Sequence, residues 1–334
     1  MESIYWVISR DCNLRCAHCY NNSEPGAEGL SFEEAARVVA NFPEPSSVGR
    51  VILSGGEVLH FPELLFETLR LLRERYPGGA VPLWIQTNAD LIDESLLDRL
   101  LDAGVMHISV SSMDDFHPKS TLRRRPYLEG LFRSRGMVAI SEVPEGERHG
   151  RGRYRDFSFW GATPDMWIGK IWPRGRALET RTTKAGPEDD FCSRWSGAMN
   201  FLEAEGDGSE VNVQLAAVYP CCPMTVRPIG DLRHEKLDEI LRRCAENPVY
   251  MALNRGRPEE MGVHLGVSVE QALERTRVLG NCCLWCDEFF TLHYHNPREP
   301  EAGRIPGGRR DLVPVGKLLA ARSSDTRDPV PHVV

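Results

Sequence analysis

The chain has 334 residues, 41% of them hydrophobic, enough for one large or two modest globular units with real cores. Its 40 Lys+Arg against 48 Asp+Glu leave a net charge of −8, which excludes the blanket of positive charge that phosphate-backbone binding requires. No apolar run reaches the roughly 18 residues of a membrane span, residues 1–10 are too few for a secretory signal, and the 10 Cys fall well under a disulfide scaffold's share. A cytoplasmic protein with reduced, metal-holding thiols and no nucleic-acid or membrane partner is the expectation.

Residues 4–9 read as a strand, followed by a Cys-rich loop and a helix over 31–40 that opens on Ser31-x-x-Glu34, a capping box. Strands over 51–54, 83–87 and 105–110 alternate with helices over 62–73 and 93–101, and a basic helical stretch over 122–132 precedes a strand over 137–141. Strand then helix, repeated, builds a parallel sheet whose ligands gather at the carboxyl ends of its strands. A polar, Gly-rich stretch over 142–156 comes next, then a strand candidate over 166–172 that runs into Trp172-Pro173-Arg174-Gly175-Arg176-Ala177. The first domain is placed at 1–183. Beyond it, 198–204 and 211–219 flank Glu205-Gly206-Asp207-Gly208 as a hairpin with a Gly-rich turn, and helices are expected over 234–246 and 269–279, in a second unit spanning 184–295. The tail, 296–334, holds six prolines and little apolar periodicity, so it is expected to be peripheral and loosely ordered.

The chemistry concentrates after the first strand. Cys12-Asn13-Leu14-Arg15-Cys16-Ala17-His18-Cys19 sets three thiols in one short loop that can wrap a single centre. Iron–sulfur clusters usually take four thiolates, so three leave one iron able to accept the amino and carboxylate groups of a small molecule. A structural zinc completed by His18 or a distant residue, and plain unligated thiols, are the alternatives. The loop Cys-x3-Cys-x2-Cys, followed by Ser54-Gly55-Gly56-Glu57 at the second strand's end, resembles the radical S-adenosylmethionine (SAM) superfamily and its Gly-Gly-Glu motif. That family usually has an aromatic residue where His18 stands.

The resemblance implies a partial (βα)6 TIM-like barrel, an α/β fold, with Cys12, Cys16 and Cys19 holding a 4Fe–4S cluster that keeps one iron open for SAM. It also implies SAM contacts at Ser54, Gly55, Gly56 and Glu57, at Asn88 in Gln86-Thr87-Asn88, at Ser109 and Ser111, and at Arg176 in a turn similar to the family's PxGRA. Glycines at the second strand's end permit close backbone approach, and the Glu57 carboxylate can accept from an ammonium group. Ordinary strand-end turns are the plain alternative at 86–88 and 109–111. Asp114, Asp115, His117, Arg123, Arg124 and Arg125 could touch substrate or SAM, although a solvated charge run accounts for most of them. Trp160, Trp167 and Trp172 are read as core packing.

Cys192, Cys221-Cys222-Pro223, Cys244 and Asn281-Cys282-Cys283-Leu284-Trp285-Cys286 form a second, C-terminal series. Its order resembles the β-hairpin and helix module called twitch, a shortened relative of SPASM, in which Cys192, Cys222, Cys283 and Cys286 would hold an auxiliary 4Fe–4S cluster. Spacing leaves open which member of each Cys-Cys pair binds. Cys244 reads as a core thiol. The doubled Cys282-Cys283 resembles the Arg-Cys-Cys-Leu-x-Cys motif of radical SAM enzymes of arsinothricin biosynthesis, with Asn281 in place of arginine. Soft thiolates suit trivalent arsenic, so Cys221 and Cys282 are candidates for As(III) or for the cluster; extra thiols in a crowded apolar junction are the plain reading.

The expected activity is reductive cleavage of SAM, with a reduced flavodoxin or ferredoxin as the electron donor that the resemblance implies. The leading substrate branch transfers the 3-amino-3-carboxypropyl group of SAM to As(III). The alternative is 5′-deoxyadenosyl-radical hydrogen abstraction from an organic small molecule or peptide, and a different class altogether is a non-catalytic thiol protein that sequesters metal or metalloid. Cys12 follows the first strand directly, leaving no preceding domain to grip a leader peptide, so a small-molecule substrate is favoured.

Overall fold

β1 (Ser3–Ser9) is buried along its whole length, the condition of a parallel strand covered on both faces. It pairs in parallel with β2 (Arg50–Gly55) on one side and β7 (Glu210–Gln214) on the other. From β2 the parallel sheet continues through β3 (Leu83–Thr87), β4 (Val105–Val110) and β6 (Asp156–Phe159) to β5 (Val138–Ala139) at the edge. On the far side β7 turns antiparallel into β8 (Ala217–Tyr219) and then β9 (Gly230–Asp231), giving the order β5-β6-β4-β3-β2-β1-β7-β8-β9. The structure, a computed structural model, describes residues 1–119, 121–148, 153–163, 170–193, 201–202 and 209–294. It shows the expected α/β class with a mostly parallel sheet.

Helices α1 (Phe32–Ala40), α2 (Pro62–Arg75), α3 (Glu94–Asp102) and α4 (Thr121–Ser134) follow β1, β2, β3 and β4 in turn. α1 starts at its capping box, in which Ser31 Oγ accepts from Glu34 N at 3.2 Å and Glu34 Oε2 accepts from Ser31 N at 3.0 Å. α3 starts where the Asp93 carboxylate accepts from Leu96 N at 2.8 Å. The chain then adds α5 (Gly175–Glu179), α6 (Leu237–Ala245), α7 (Pro248–Asn254), α8 (Val269–Leu279) and α9 (Cys282–Leu292). Among the described residues no helix is long and apolar enough to cross a membrane.

Period-two alternation divides the strands between two interiors. Ile4, Trp6, Ile8, Val51, Leu53, Val211 and Val213 pack outward with α1 and α2 in the main core. Tyr5, Val7, Ile52 and Trp84 point to the other face, where they meet Trp172, Phe191 and four cysteines. Asn212 and Gln214 are the register partners of Tyr5 and Val7, so they share this inner face.

Several elements differ from the expectation. The antiparallel pair lies wholly within 210–219, because Leu215 adopts a left-handed φ of 56° and a two-residue turn closes without glycine. β6 falls at the end of a stretch read as loop, its four residues recruited by pairing with β4 and β5. The strand over 137–141 shrinks to two residues before a 3-10 turn. Residues 170–172 carry no strand. The rest of that candidate with Trp167, the expected turn at 205–208 with most of 198–204, and the tail at 296–334 lie outside the described residues.

Candidate functional site

The cysteine loop is held from three sides. The turn after β2 stitches it below, Gly56 N donating to Ser9 O at 2.8 Å and Glu57 N to Asp11 O at 2.9 Å. Gly56 is required there, because a Cβ would lie 2.5 Å from Arg10 O and Asp11 O and 2.8 Å from Cys12 Cβ. From above, α5 docks through Arg176, whose guanidinium donates to Cys16 O at 3.0 Å and Ser23 O at 3.1 Å and pairs with Glu24. Ala177 N reaches Cys19 O at 3.3 Å, and Gly175, at φ 51°, clears Tyr20 O, which a Cβ would approach to 2.3 Å. Arg176, which the resemblance groups with the SAM contacts, thus spends its donors on the loop itself.

Cys12 is buried, Cys16 and Cys19 are half-buried, and none of them is in a disulfide. Burial pushes the Cys12 thiol up to about 12, so a thiolate there requires a bound cation to hold it. Among the described residues no group of three or more His, Cys, Asp or Glu stands at the spacing that holds a single metal ion. Three separated thiols in one loop fit a polynuclear iron–sulfur centre with an open position. His18 lies against Phe116, with ring centroids 5.2 Å apart.

The carboxyl ends of β2, β3 and β4 converge beside this loop. Glu57 is buried, and its carboxylate accepts from Thr87 Oγ1, Leu59 N and Asn88 N. Burial pushes its pKa up, against these three bonds, and one lone-pair direction stays open for an ammonium. Asn88 Nδ2 donates to Asn13 Oδ1 at 2.9 Å, tying β3's end to the cysteine loop. Ser54 Oγ accepts from the Tyr5 hydroxyl at 2.7 Å, Ser109 is buried opposite Ser158 of β6, and Ser111 bonds Thr87 O. Of the charged stretch after β4, Asp115, Arg123 and Arg125 are exposed, whereas Asp114, His117 and Arg124 are buried. Arg124 bonds Asn88 O and Ser112 O and pairs with Asp90. Asp90, Lys119, Arg123, Arg124 and Tyr127 line a cavity of about 530 Å³ beside Asn88.

The second thiol group surrounds Arg174. Its guanidinium donates to Pro223 O and Cys283 O and pairs with Asp287 at 2.7 Å, and Cys221, Cys283 and Cys286 lie within its electrostatic reach. Cys192 and Cys283 lie beside Cys282, and their interaction lowers the Cys282 pKa and raises their own. Cys222 belongs to the inner-face cluster with Cys192, Cys282 and Cys283, and its Sγ lies 3.4 Å from the Tyr20 hydroxyl. Cys244 is buried in the main core with Ile240 and Leu237, as its core reading expects.

Arg174, Tyr20, Tyr5 and the Asn212–Gln214 pair escaped the sequence reading. The alternation Glu210-Val211-Asn212-Val213-Gln214, polar on every second residue of a buried strand, is the signal that carries the last two.

Residues 6–133 match the model of the Radical SAM superfamily. Members of that superfamily are enzymes, the family implies a 4Fe–4S cluster with SAM, and its members generally take electrons from reduced flavodoxin or ferredoxin. Among curated proteins the chain is 34% identical over 113 residues to an AdoMet-dependent heme synthase of Methanosarcina barkeri, covering 32% of this chain and 30% of that one. It is 35% identical over 116 residues to the FeMo cofactor biosynthesis protein NifB of Klebsiella pneumoniae (31% and 24%), and 30% identical over 112 to the PqqA peptide cyclase of Granulibacter bethesdensis (32% and 28%). The match therefore spans less than a third of each relative's length. Among solved structures, BtrN in complex with AdoMet and 2-DOIA aligns at 14% identity with a TM-score of 0.48, over 80% of this chain and 90% of that one.

Proposed function

We propose that this chain cleaves SAM reductively at Cys12, Cys16 and Cys19, with the 1–183 stretch as the catalytic barrel and 184–295 as an auxiliary thiol module. A reduced 4Fe–4S cluster, when bound, supplies the electron that breaks a carbon–sulfur bond of SAM. The protein's part is orientation: Glu57 and the glycine turn face the methionyl end, Asn88, Ser109 and Ser111 line the strand ends, and Arg176 keeps the loop in place.

The finer reading is transfer of the 3-amino-3-carboxypropyl group to As(III). The observation that supports it is the number of thiols gathered there: Cys221, Cys282, Cys283 and Cys286 lie within reach of Arg174 and Cys192 lies beside Cys282, while one auxiliary cluster takes at most four. A surplus buried thiol beside the others suits a soft metalloid. Hydrogen abstraction from an organic molecule or peptide is the second reading, favoured by relatives named as a heme synthase and a peptide cyclase.

Anaerobically reconstituted protein, given dithionite, SAM and arsenite, separates them. The transfer reading expects 5′-methylthioadenosine and an arsenic-bound amino acid, and 5′-deoxyadenosine as the only SAM fragment overturns it. No SAM turnover, with zinc or arsenic bound instead of iron, makes the chain a sequestering protein.

A further inference from the structure

The adjacent cysteines Cys221 and Cys222 face different surroundings. Cys221 lies within reach of Arg174, Asp287 and Cys282, the residues around which the second thiol group is built. Cys222 has as neighbours Glu210, Cys221 and the Tyr20 hydroxyl, with Arg174 absent from its surroundings. Tyr20 packs against the inner-face cluster that contains Tyr5 and Cys222, and Tyr5 is the register partner of Asn212. Cys222 therefore opens toward the inner face of β1 and β7.

That face carries an uncompleted pair. Gln214 Nε2 donates to Asn212 Oδ1 at 2.8 Å, which among the described residues leaves Asn212 Nδ2 without an acceptor and Gln214 Oε1 without a donor, although both residues are 1% exposed. Buried donors and acceptors are almost always matched, and two adjacent exceptions on the barrel's inner face need a partner from outside the chain.

We propose that Cys221 is the member of its pair that joins the second thiol group, and that Cys222 lines, with Tyr20, Asn212 and Gln214, a pocket for the substrate. The ligand it fits is a small neutral molecule offering one acceptor and one donor side by side. Under the arsenic reading, on which this ligand class rests, that molecule is arsenous acid, whose hydroxyls accept from Asn212 Nδ2 and donate to Gln214 Oε1 while its soft centre meets a thiol.

Iron content of the reconstituted full-length chain tests the division, read alongside melting temperature and equilibrium dialysis of sodium arsenite. With two clusters, wild type holds about eight iron; Cys221→Ser should fall to about four and Cys222→Ser should keep about eight while binding arsenite at least tenfold more weakly. The double variant Asn212→Leu/Gln214→Leu should keep its iron and melt no lower than wild type, because it removes two unmatched polar atoms, yet lose arsenite affinity to a similar degree. Loss of iron from Cys222→Ser, retention of iron by Cys221→Ser, or a double variant that melts several degrees lower and keeps its arsenite affinity overturns the assignment. A wild type with about eight iron that ignores arsenite sinks the arsenic reading and the ligand class together, and the two serine variants still decide between Cys221 and Cys222.

Discussion

Desolvation pushes the Glu210 carboxyl up to about 7, with Arg50 pulling the other way and Glu2 adding to the rise. A carboxyl whose folded value exceeds its unfolded 4.5 binds more protons in the native state between those two limits. Its contribution to stability is therefore present below about pH 4.5 and lost as pH rises through 7. Wild-type melting temperature should fall between pH 5 and pH 8, and Glu210→Gln should flatten that slope and add stability on the order of 2 kcal/mol at pH 8. Parallel pH profiles for the two proteins, measured by thermal denaturation, would refute this. The residue was not legible as buried from the sequence, since a Glu opening a strand ordinarily faces water. Its burial follows from β7 joining β1, a long-range pairing that local pattern does not contain. The three thiols and the Gly-Gly-Glu turn were legible for the opposite reason: each is contiguous, and its spacing is the signal.

α9 shows how an element places its thiols. Asn281 caps it, accepting from Cys283 N at 2.9 Å while its Nδ2 donates to Gly186 O at 2.9 Å, and it is 1% exposed. An arginine has no acceptor and could not make the first bond, so the departure from the Arg-Cys-Cys motif has a local structural cause. Asn281→Ala should cost about 1–2 kcal/mol and, under the proposed two-cluster reading, release iron from the second centre before the first. Asn281→Asp retains the acceptor, loses the donor to Gly186, and should fall between the two. Equal iron loss from both centres in Asn281→Ala would show that the cap does not set the position of Cys282 and Cys283. The capping box read at Ser31 holds in the structure, Ser268 with Gln271 forms a second that went unread, and the α8 bounds were read residue for residue. α9 itself went unread as a helix, because a segment apolar on nearly every side shows no periodicity to find.

The whole molecule turns on the junction between β1 and β7, where the chain after 183 adds its first strand to the sheet. Trp6 Nε1 donates to Leu215 O at 2.7 Å and Asn41 Nδ2 to Leu232 O at 2.8 Å, while the Arg174 guanidinium reaches Pro223 O, Cys283 O and Asp287. Bonds of this kind, buried and distributed along one shared sheet, make separate melting of the two halves costly, since each half would expose a strand edge and an apolar face. Arg174 is 4% exposed and ion-paired to the half-buried Asp287, so Arg174→Ala leaves that carboxylate and two carbonyls short of a donor and should destabilise by about 3 kcal/mol. The expected calorimetric scan of that variant is one transition at lower temperature, because the β1–β7 pairing survives the loss. Two resolved transitions would mean that 1–183 and 184–295 fold independently, with Arg174 as their main tie. A single transition at the wild-type temperature would mean that neither the ion pair nor its carbonyl bonds contribute to holding the thiol group against the barrel.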